Sequence, residues 1–230
     1  MSGASPENAL VPVSEEYGDV YFSRQDGLAE TRHVFLNGND LPARWQGQSD
    51  FTIAELGFGT GLNFMATAAL WKETVEPEAK LTYIGFEKHP LDQKAVKTAL
   101  EPFQDRLDQE QLKIYHNAYP GVFESITELE ITSGVRLVLV SGDVNETLPT
   151  QNFRASSWYL DGFKPATNPE MWSQTVFKEM ARLSRPGASF ATFTAAGLVK
   201  RGLMQQGFAV QKVKGYGRKR DMLIGTLEAQ

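Results

Sequence analysis

The chain of 230 residues contains no cysteine. That excludes disulfide scaffolds, thiolate metal sites and cysteine nucleophiles. Histidine is scarce too: His33, His89 and His116 are scattered, with no pair spaced for one helical face. A histidine-built metal site is therefore not expected. No run approaches the roughly 20 apolar residues of a membrane-spanning helix. The opening MSGASPENAL has neither a basic start nor an apolar core, so it does not read as a secretory signal. A soluble cytoplasmic protein without a membrane partner is expected, with no internal repeat and no low-complexity tract.

Basic charge is also in short supply overall, with a formal net charge of −5. The average conceals a patch. From Ala196 to Gln230 the basic residues Lys200, Arg201, Lys212, Lys214, Arg218, Lys219 and Arg220 face only Asp221 and Glu228. This end carries +5 and the rest of the chain −10, an asymmetry that points to a polyanionic partner at one end. With 41% hydrophobic and 22% charged residues, the composition is that of a globular protein. The length suits one sizeable domain, or a domain with an extension, better than two.

Residues 1–50 read as a flexible tail followed by an extension with β-like runs, Asp19-Val-Tyr-Phe-Ser23 and Thr31-Arg-His-Val-Phe-Leu36. From Phe51 the pattern changes to alternating strands and helices. Strands are expected at 51–56, 81–87, 135–140, 157–160 and 188–194. Helices are expected at 62–72, 91–100, 169–183, with Asn168 as its cap, and 198–206. The runs 112–116 and 126–131 are ambiguous, and 208–214 with 221–227 reads as a terminal antiparallel pair. This order implies an α/β domain over 51–230 with a mostly parallel sheet covered on both faces. Ligands of such sheets bind just beyond the carboxyl ends of the strands.

Those positions carry chemistry. The first strand is followed by Glu55-Leu-Gly-Phe-Gly-Thr-Gly61, a turn whose glycines let a ligand approach the backbone. The spacing departs from the dinucleotide fingerprint Gly-x-Gly-x-x-Gly, which lowers the case for NAD or FAD. Glu87 ends the second strand, where a carboxylate accepts from both hydroxyls of a ribose. Asp143 follows the third, placed to accept from an adenine amine or to cap the next helix. Asp161 follows the fourth, in Asp161-Gly-Phe-Lys-Pro165. A carboxylate there is able to orient an attacking amine and take its proton, with Phe163 as a wall. Together the four strand ends outline a nucleoside-shaped site.

Several longer motifs run through the chain: Glu30-Thr-Arg-His-Val-Phe-Leu36, Glu55-Leu-Gly-Phe-Gly-Thr-Gly-Leu-Asn63, Trp158-Tyr-Leu-Asp-Gly-Phe-Lys-Pro165 and Lys214-Gly-Tyr-Gly-Arg-Lys-Arg-Asp-Met222. With them the chain resembles, from about Val13 to Glu228, the methyltransferase domain of the MnmC/MnmD family of tRNA-modifying enzymes. The resemblance implies a Rossmann-like class I fold, a seven-stranded sheet with a C-terminal antiparallel strand, and S-adenosylmethionine as cofactor. The implied reaction converts 5-aminomethyl-(2-thio)uridine at tRNA position 34 to its methylaminomethyl form. Asp161 matches the catalytic aspartate of the family, and Glu55, Gly57, Gly59, Gly61, Glu87 and Asp143 match the cofactor-binding positions. The bifunctional members continue into an FAD-dependent oxidase acting on the same nucleotide. No second nucleotide fingerprint occurs in these 230 residues, so FAD is not expected on this chain, and an oxidase domain or protein is an implied partner.

The basic end then has a role. Arg218, Lys219 and Arg220, with Arg201 and Lys214, are candidates for phosphate contacts near the anticodon. Two other readings compete: a transferase acting on a small amine in the manner of polyamine synthases, and a catalytically silent RNA-binding module. The acidic body suits a small polycation, the basic end suits RNA, and the intact Asp161 argues against a silent module.

Overall fold

The computed structural model describes residues 26–228. The run at 19–23 lies outside them. Within them, one eight-stranded sheet organises the chain, in the order β3-β4-β2-β1-β5-β6-β8-β7.

The described part opens with a short helix α1 (Gly27–Thr31), capped by the Asp26 carboxylate accepting from the Ala29 N–H. It passes directly into a π-helical turn at Arg32–Leu36. The β-like run expected at 31–36 is therefore helical. The reason lies in burial: Val34, Phe35 and Leu36 are consecutive and all buried, which a strand with alternating faces does not achieve unless both faces are covered. Here the turn wedges them against the sheet and the next helix.

β1 (Asp50–Leu56) leads to α2 (Leu62–Thr74), and β2 (Lys80–Glu87) to α3 (Gln93–Leu100). The ambiguous run at 112–116 belongs to α4 (Gln109–Ala118), capped by Asp108. The run at 126–131 is an edge strand, β3 (Ile126–Thr132), antiparallel to β4 (Val135–Ser141). It makes the sheet eight strands rather than seven. α5 (Val144–Thr147) and β5 (Ala155–Leu160) follow. The helix expected over 169–183 is broken: a 3₁₀ turn at Pro169–Trp172 precedes α6 (Gln174–Arg182). The cap is Ser173, whose Oγ accepts from the Val176 N–H, while Asn168 makes no capping bond. Trp172 Nε1 donates to the Phe163 carbonyl and draws the turn toward the preceding loop. β6 (Ser184–Thr192), α7 (Gly197–Gln205), β7 (Phe208–Lys214) and β8 (Asp221–Leu227) complete the chain. The last two form the expected antiparallel pair.

Alternation along the strands sends Ile53, Tyr83, Leu137 and Tyr159 into one apolar layer. Ala54, Ile84, Val138 and Trp158 enter the other. α2 lacks a polar face over most of its length because it is covered twice, by the sheet beneath and by α1 with the π turn above. Trp45 is fully buried here, packed edge-on against Trp71, with its Nε1 donating to Thr74 Oγ1 at 3.0 Å. Burial of side chains of this size contributes about 2–3 kcal/mol each. The N-terminal segment is thereby fastened to the sheet, which fixes its position at the site.

Candidate active site

Register determines where the strand ends fall. Leu56 of β1 lies opposite Phe86 of β2 and Leu160 of β5, and Leu160 lies opposite Thr192 of β6. The next residue of each strand therefore lands on one line: Gly57, Glu87, Asp161 and Phe193. Backbone bonds lock that line beyond the sheet. The Gly57 N–H donates to the Phe86 carbonyl, the Asp161 N–H to that of Leu56 and the Gly142 N–H to that of Glu87, each at 3.0 Å. β1 sits where the sheet order reverses, the location expected for a ligand crevice. A cavity of about 490 Å³ opens at this line.

Gly57 has φ +87°, and a Cβ there would lie 2.7 Å from the Asp161 carbonyl oxygen. Only glycine allows the two strand ends to touch in this way. Gly59 lines the cavity and donates its N–H to Glu87 Oε2 at 2.8 Å. The other oxygen of Glu87 accepts from the His89 N–H at 2.9 Å. The carboxylate is thus held at the rim by two backbone donors. Gly61, at φ +79°, lies behind the lining against Tyr115 and starts α2.

Asp161 faces the cavity. Its Oδ2 accepts from Asn63 Nδ2 at 2.6 Å, and the same amide nitrogen donates to Glu55 Oε1 at 2.6 Å. Asn63 Oδ1 accepts from the Thr31 hydroxyl at 2.6 Å, and Tyr83 donates its hydroxyl proton to Glu55 Oε2 at 2.8 Å. Every polar atom of the Asn63 side chain is used, as burial of an amide requires. Burial pushes the Asp161 carboxyl well above the usual carboxylate range, and the Glu30 charge adds to this. The Asn63 N–H and the Lys219 ammonium pull it back. Glu55 is raised as well, chiefly by burial and then by the charge of Asp161.

Glu55 is fully buried and does not line the cavity. The carboxylate expected at the cofactor thus lies behind the cavity surface here. Its side chain points under α2, and Asn63 stands between it and the cavity. Asp143 lines the cavity and also caps α5, accepting from the Asn145 N–H at 2.9 Å, with Lys88 Nζ 3.1 Å from its other oxygen. Burial alone would raise this carboxyl, but the bonds from Asn145 and Lys88 outweigh it and hold it below the usual range. Phe163 also lines the cavity.

The basic residues divide. Arg218 and Lys219 line the cavity, whereas Arg201, Lys214 and Arg220 do not. Lys219 is exposed, its side chain keeping 42% of its accessible surface, yet its ammonium has partners within the chain. Its Nζ lies 2.8 Å from Glu30 Oε1 and 4.3 Å from the centre of the Phe193 ring. Arg220 is almost fully exposed and Arg201 lies on the surface of α7. The Lys214 carbonyl accepts a hydrogen bond from His33 Nε2 at 3.0 Å, and the His33 ring rests near Tyr216. His33 therefore ties the π turn to the terminal hairpin, and Arg32 is exposed.

Sequence reasoning missed Glu30, Thr31, Asn63, Phe193 and Tyr216. A signal existed for Asn63, a polar residue in the largely apolar first turns of α2. None existed for Glu30 and Lys219, which meet only through the tertiary fold. Among the described residues no cluster of His, Asp or Glu is placed to hold a metal ion, and no helix is long and apolar enough to cross a membrane.

Comparison with known proteins agrees with this geometry. The chain is 46% identical over 227 residues to the tRNA 5-methylaminomethyl-2-thiouridine biosynthesis bifunctional protein MnmC of Stutzerimonas stutzeri, covering 97% of this chain and 34% of the relative. It is 48% identical to the protein of the same name from Aeromonas hydrophila, covering 94% of this chain and 34% of the relative. The chain thus spans about a third of the length of these curated relatives. Among solved structures, MNMC2 from Aquifex aeolicus superposes with a TM-score of 0.71 at 22% identity, covering 95% of this chain and 67% of that one. A spermidine synthase in complex with the transition-state analogue AdoDATO shares the fold more loosely, with a TM-score of 0.53 at 9% identity, covering 90% of this chain and 63% of that one. A family model matches residues 107–228. That match covers more than half of the sequence, and the chain belongs to the family it describes, the S-adenosyl-L-methionine-dependent methyltransferases.

Proposed function

We propose that this methyltransferase acts on the side-chain amine of 5-aminomethyl-(2-thio)uridine at the wobble position of tRNA. The observation that carries the proposal is Asp161: a carboxyl at a strand end, facing the cavity, positioned by Asn63 and raised in pKa. An alkyl ammonium has no lone pair and must lose a proton before it attacks a methyl carbon. A carboxyl raised above its ordinary range is a better proton acceptor than a free aspartate. The names of the relatives, which concern this tRNA modification, support the same substrate.

The residues present fit S-adenosylmethionine. Gly57 and Gly59 line the cavity without side chains, and Glu87 presents a carboxylate fixed by the Gly59 and His89 N–H groups. We assign Gly57 and Gly59 to close backbone approach, Glu87 to the ribose hydroxyls and Asp143 to the adenine side. Gly61 shapes the turn, and Glu55 acts through Asn63. When bound, the cofactor would supply an electrophilic methyl carbon on a sulfonium sulfur, the C–S bond breaking with its electron pair left on the departing thioether. Asp161 accepts one proton from the substrate ammonium: an N–H bond breaks, an O–H bond forms, and the amine keeps the electron pair that becomes the new N–C bond. The product is a secondary ammonium, and the proton on Asp161 passes to solvent. Phe163 and Phe193 limit water access to the amine.

Arg218 and Arg220, with Arg201 and Lys214 further out, supply the tRNA phosphate contacts in this proposal. The setting is cytoplasmic. An FAD-dependent oxidase domain or protein acting on the same nucleotide is the functional partner that the bifunctional relatives imply.

The test is methyl transfer from labelled S-adenosylmethionine to tRNA bearing the aminomethyl precursor. Transfer is expected, and Asp161→Asn is expected to lower kcat by about 10²–10⁴-fold while S-adenosylhomocysteine still binds. Transfer only to free polyamines would replace the tRNA reading with the polyamine one. Binding of tRNA without transfer would leave a silent module.

A further inference from the structure

The cavity holds an ammonium group supplied by the chain itself. Lys219 Nζ lies 2.8 Å from Glu30 Oε1 and 4.3 Å from the Phe193 ring centre. Glu30, Phe193 and Asp161 line the same cavity, and the Lys219 charge is felt at Asp161. A carboxylate at hydrogen-bond distance with an aromatic face beneath is the surrounding that recognises a primary alkyl ammonium. Glu30 and Lys219 are 189 residues apart in sequence, so the arrangement is a product of the fold. The side chain of Glu30 is largely buried, which strengthens its attraction for a cation. The Lys219 backbone is fixed by its N–H bond to the Tyr216 carbonyl, but a lysine side chain is long and flexible, and its ammonium can leave without backbone movement.

We propose that Glu30 and Phe193 form the subsite for the acceptor ammonium, and that Lys219 is its internal stand-in, displaced when the substrate amine enters. The inference rests on the aminomethyluridine reading of the site and adds the residues that select a primary amine. Glu30 binds the cationic form, and Asp161 takes the proton. Two carboxylates with different tasks explain why the cavity carries both. Lys219 neutralises Glu30 between turnovers and competes with the substrate for it. The competition lowers apparent affinity, as any occupied or closed state does.

The experiment is steady-state methylation of aminomethyl-tRNA by wild type, Glu30→Gln, Phe193→Leu and Lys219→Met, with S-adenosylhomocysteine binding by calorimetry as the control for fold and cofactor site. Loss of a charge-assisted bond predicts a KM raised about 10-fold or more in Glu30→Gln. Phe193→Leu is expected to raise KM about 3-fold, in line with an exposed-to-partly-buried cation–π contact. Lys219→Met is expected to lower KM about 3-fold, because the competitor is gone. If Glu30 acts only through a structural ion pair, Glu30→Gln and Lys219→Met shift KM together, and the inference is overturned. A raised KM with a shallower salt dependence in Lys219→Met alone would make Lys219 a phosphate contact and also overturn it. Absence of transfer by wild type to this tRNA would instead remove the functional reading beneath it.

Discussion

The two walls of the cavity are built by different means. One wall is the line of strand ends, Gly57, Glu87, Asp161 and Phe193, set by sheet register and sealed by backbone bonds. The other joins α1 and the π turn to the β7–β8 hairpin through side chains, Lys219 to Glu30 and His33 to the Lys214 carbonyl, and to α2 through Thr31 and Asn63. Backbone bonds in a sheet are cooperative with its whole core. Side-chain links at a rim are individually worth about 1 kcal/mol and yield one at a time. The wall that must hold reacting atoms still belongs to the sheet. The wall that admits the nucleotide in the proposed reaction is closed by links that can open. Asn63 touches both walls, through Asp161 on one side and Thr31 on the other.

The sharpest way to break the first wall is Gly57→Ala. The added Cβ would meet the Asp161 carbonyl at 2.7 Å, with φ held at +87°. Left-handed strain and overpacking against backbone each cost about 1–3 kcal/mol. We expect the denaturation midpoint to fall accordingly and binding of S-adenosylhomocysteine to be lost. Gly47, at φ +74° with nothing within 4 Å of a built Cβ, is the matched control, and Gly47→Ala is expected to cost only the strain. Equal effects at the two positions would show that contact between strand ends contributes nothing.

A smaller effect is expected where the walls join. Asn63→Ala removes an N–H that lowers the pKa of Asp161, so that carboxyl rises further. In the proposed reaction Asp161 acts as a carboxylate, so activity is expected above its pKa and lost as pH falls through it. The acid limb of kcat/KM should therefore move to higher pH in Asn63→Ala. Glu30→Gln removes a charge that raises Asp161 and should move the same limb to lower pH. Limbs that coincide with wild type in both variants would dissociate Asp161 from the profile. Asn63→Ala also strands the Thr31 hydroxyl and leaves Glu55 with Tyr83 as its remaining side-chain donor. About 2–4 kcal/mol of stability should be lost with it.

The two walls also differ in how far the sequence disclosed them. The strand ends are legible because a strand is short, its apolar run is local, and the residue after it is fixed by the turn. Local pattern alone therefore places Glu87, Asp143 and Asp161 at strand ends, but it does not reveal the burial of Glu55. Its position two residues before Gly57 in the strand says nothing of which side chain lies above it. The other wall is illegible because its contacts span most of the chain. A run such as Thr31–Leu36 has bulky and β-branched residues that favour a strand locally, and only burial against α2 makes it helical. Likewise three successive basic residues look alike in sequence. The hairpin turn brings the part-exposed Lys219 to Glu30 and leaves Arg220 almost wholly in solvent.

That division of the basic loop leads to the mildest prediction, and it separates the outer rim from the inner wall. Arg218 and Arg220 are exposed on the loop beside the cavity mouth, and Arg220 Nε approaches Asp221 no closer than 3.9 Å. Both are therefore open to a polyanion. Removing one phosphate-binding arginine should weaken tRNA binding for all sequences alike and lower the slope of log K against log salt by about one. Replacing both by alanine should reduce the slope by about two, with kcat at saturating tRNA unchanged. Lys219→Met, whose ammonium is engaged with Glu30, should leave the slope where it was. A slope change in Lys219→Met equal to that of either arginine variant would place all three on the same outer surface, and the contrast between a gripping rim and a selecting wall would fail.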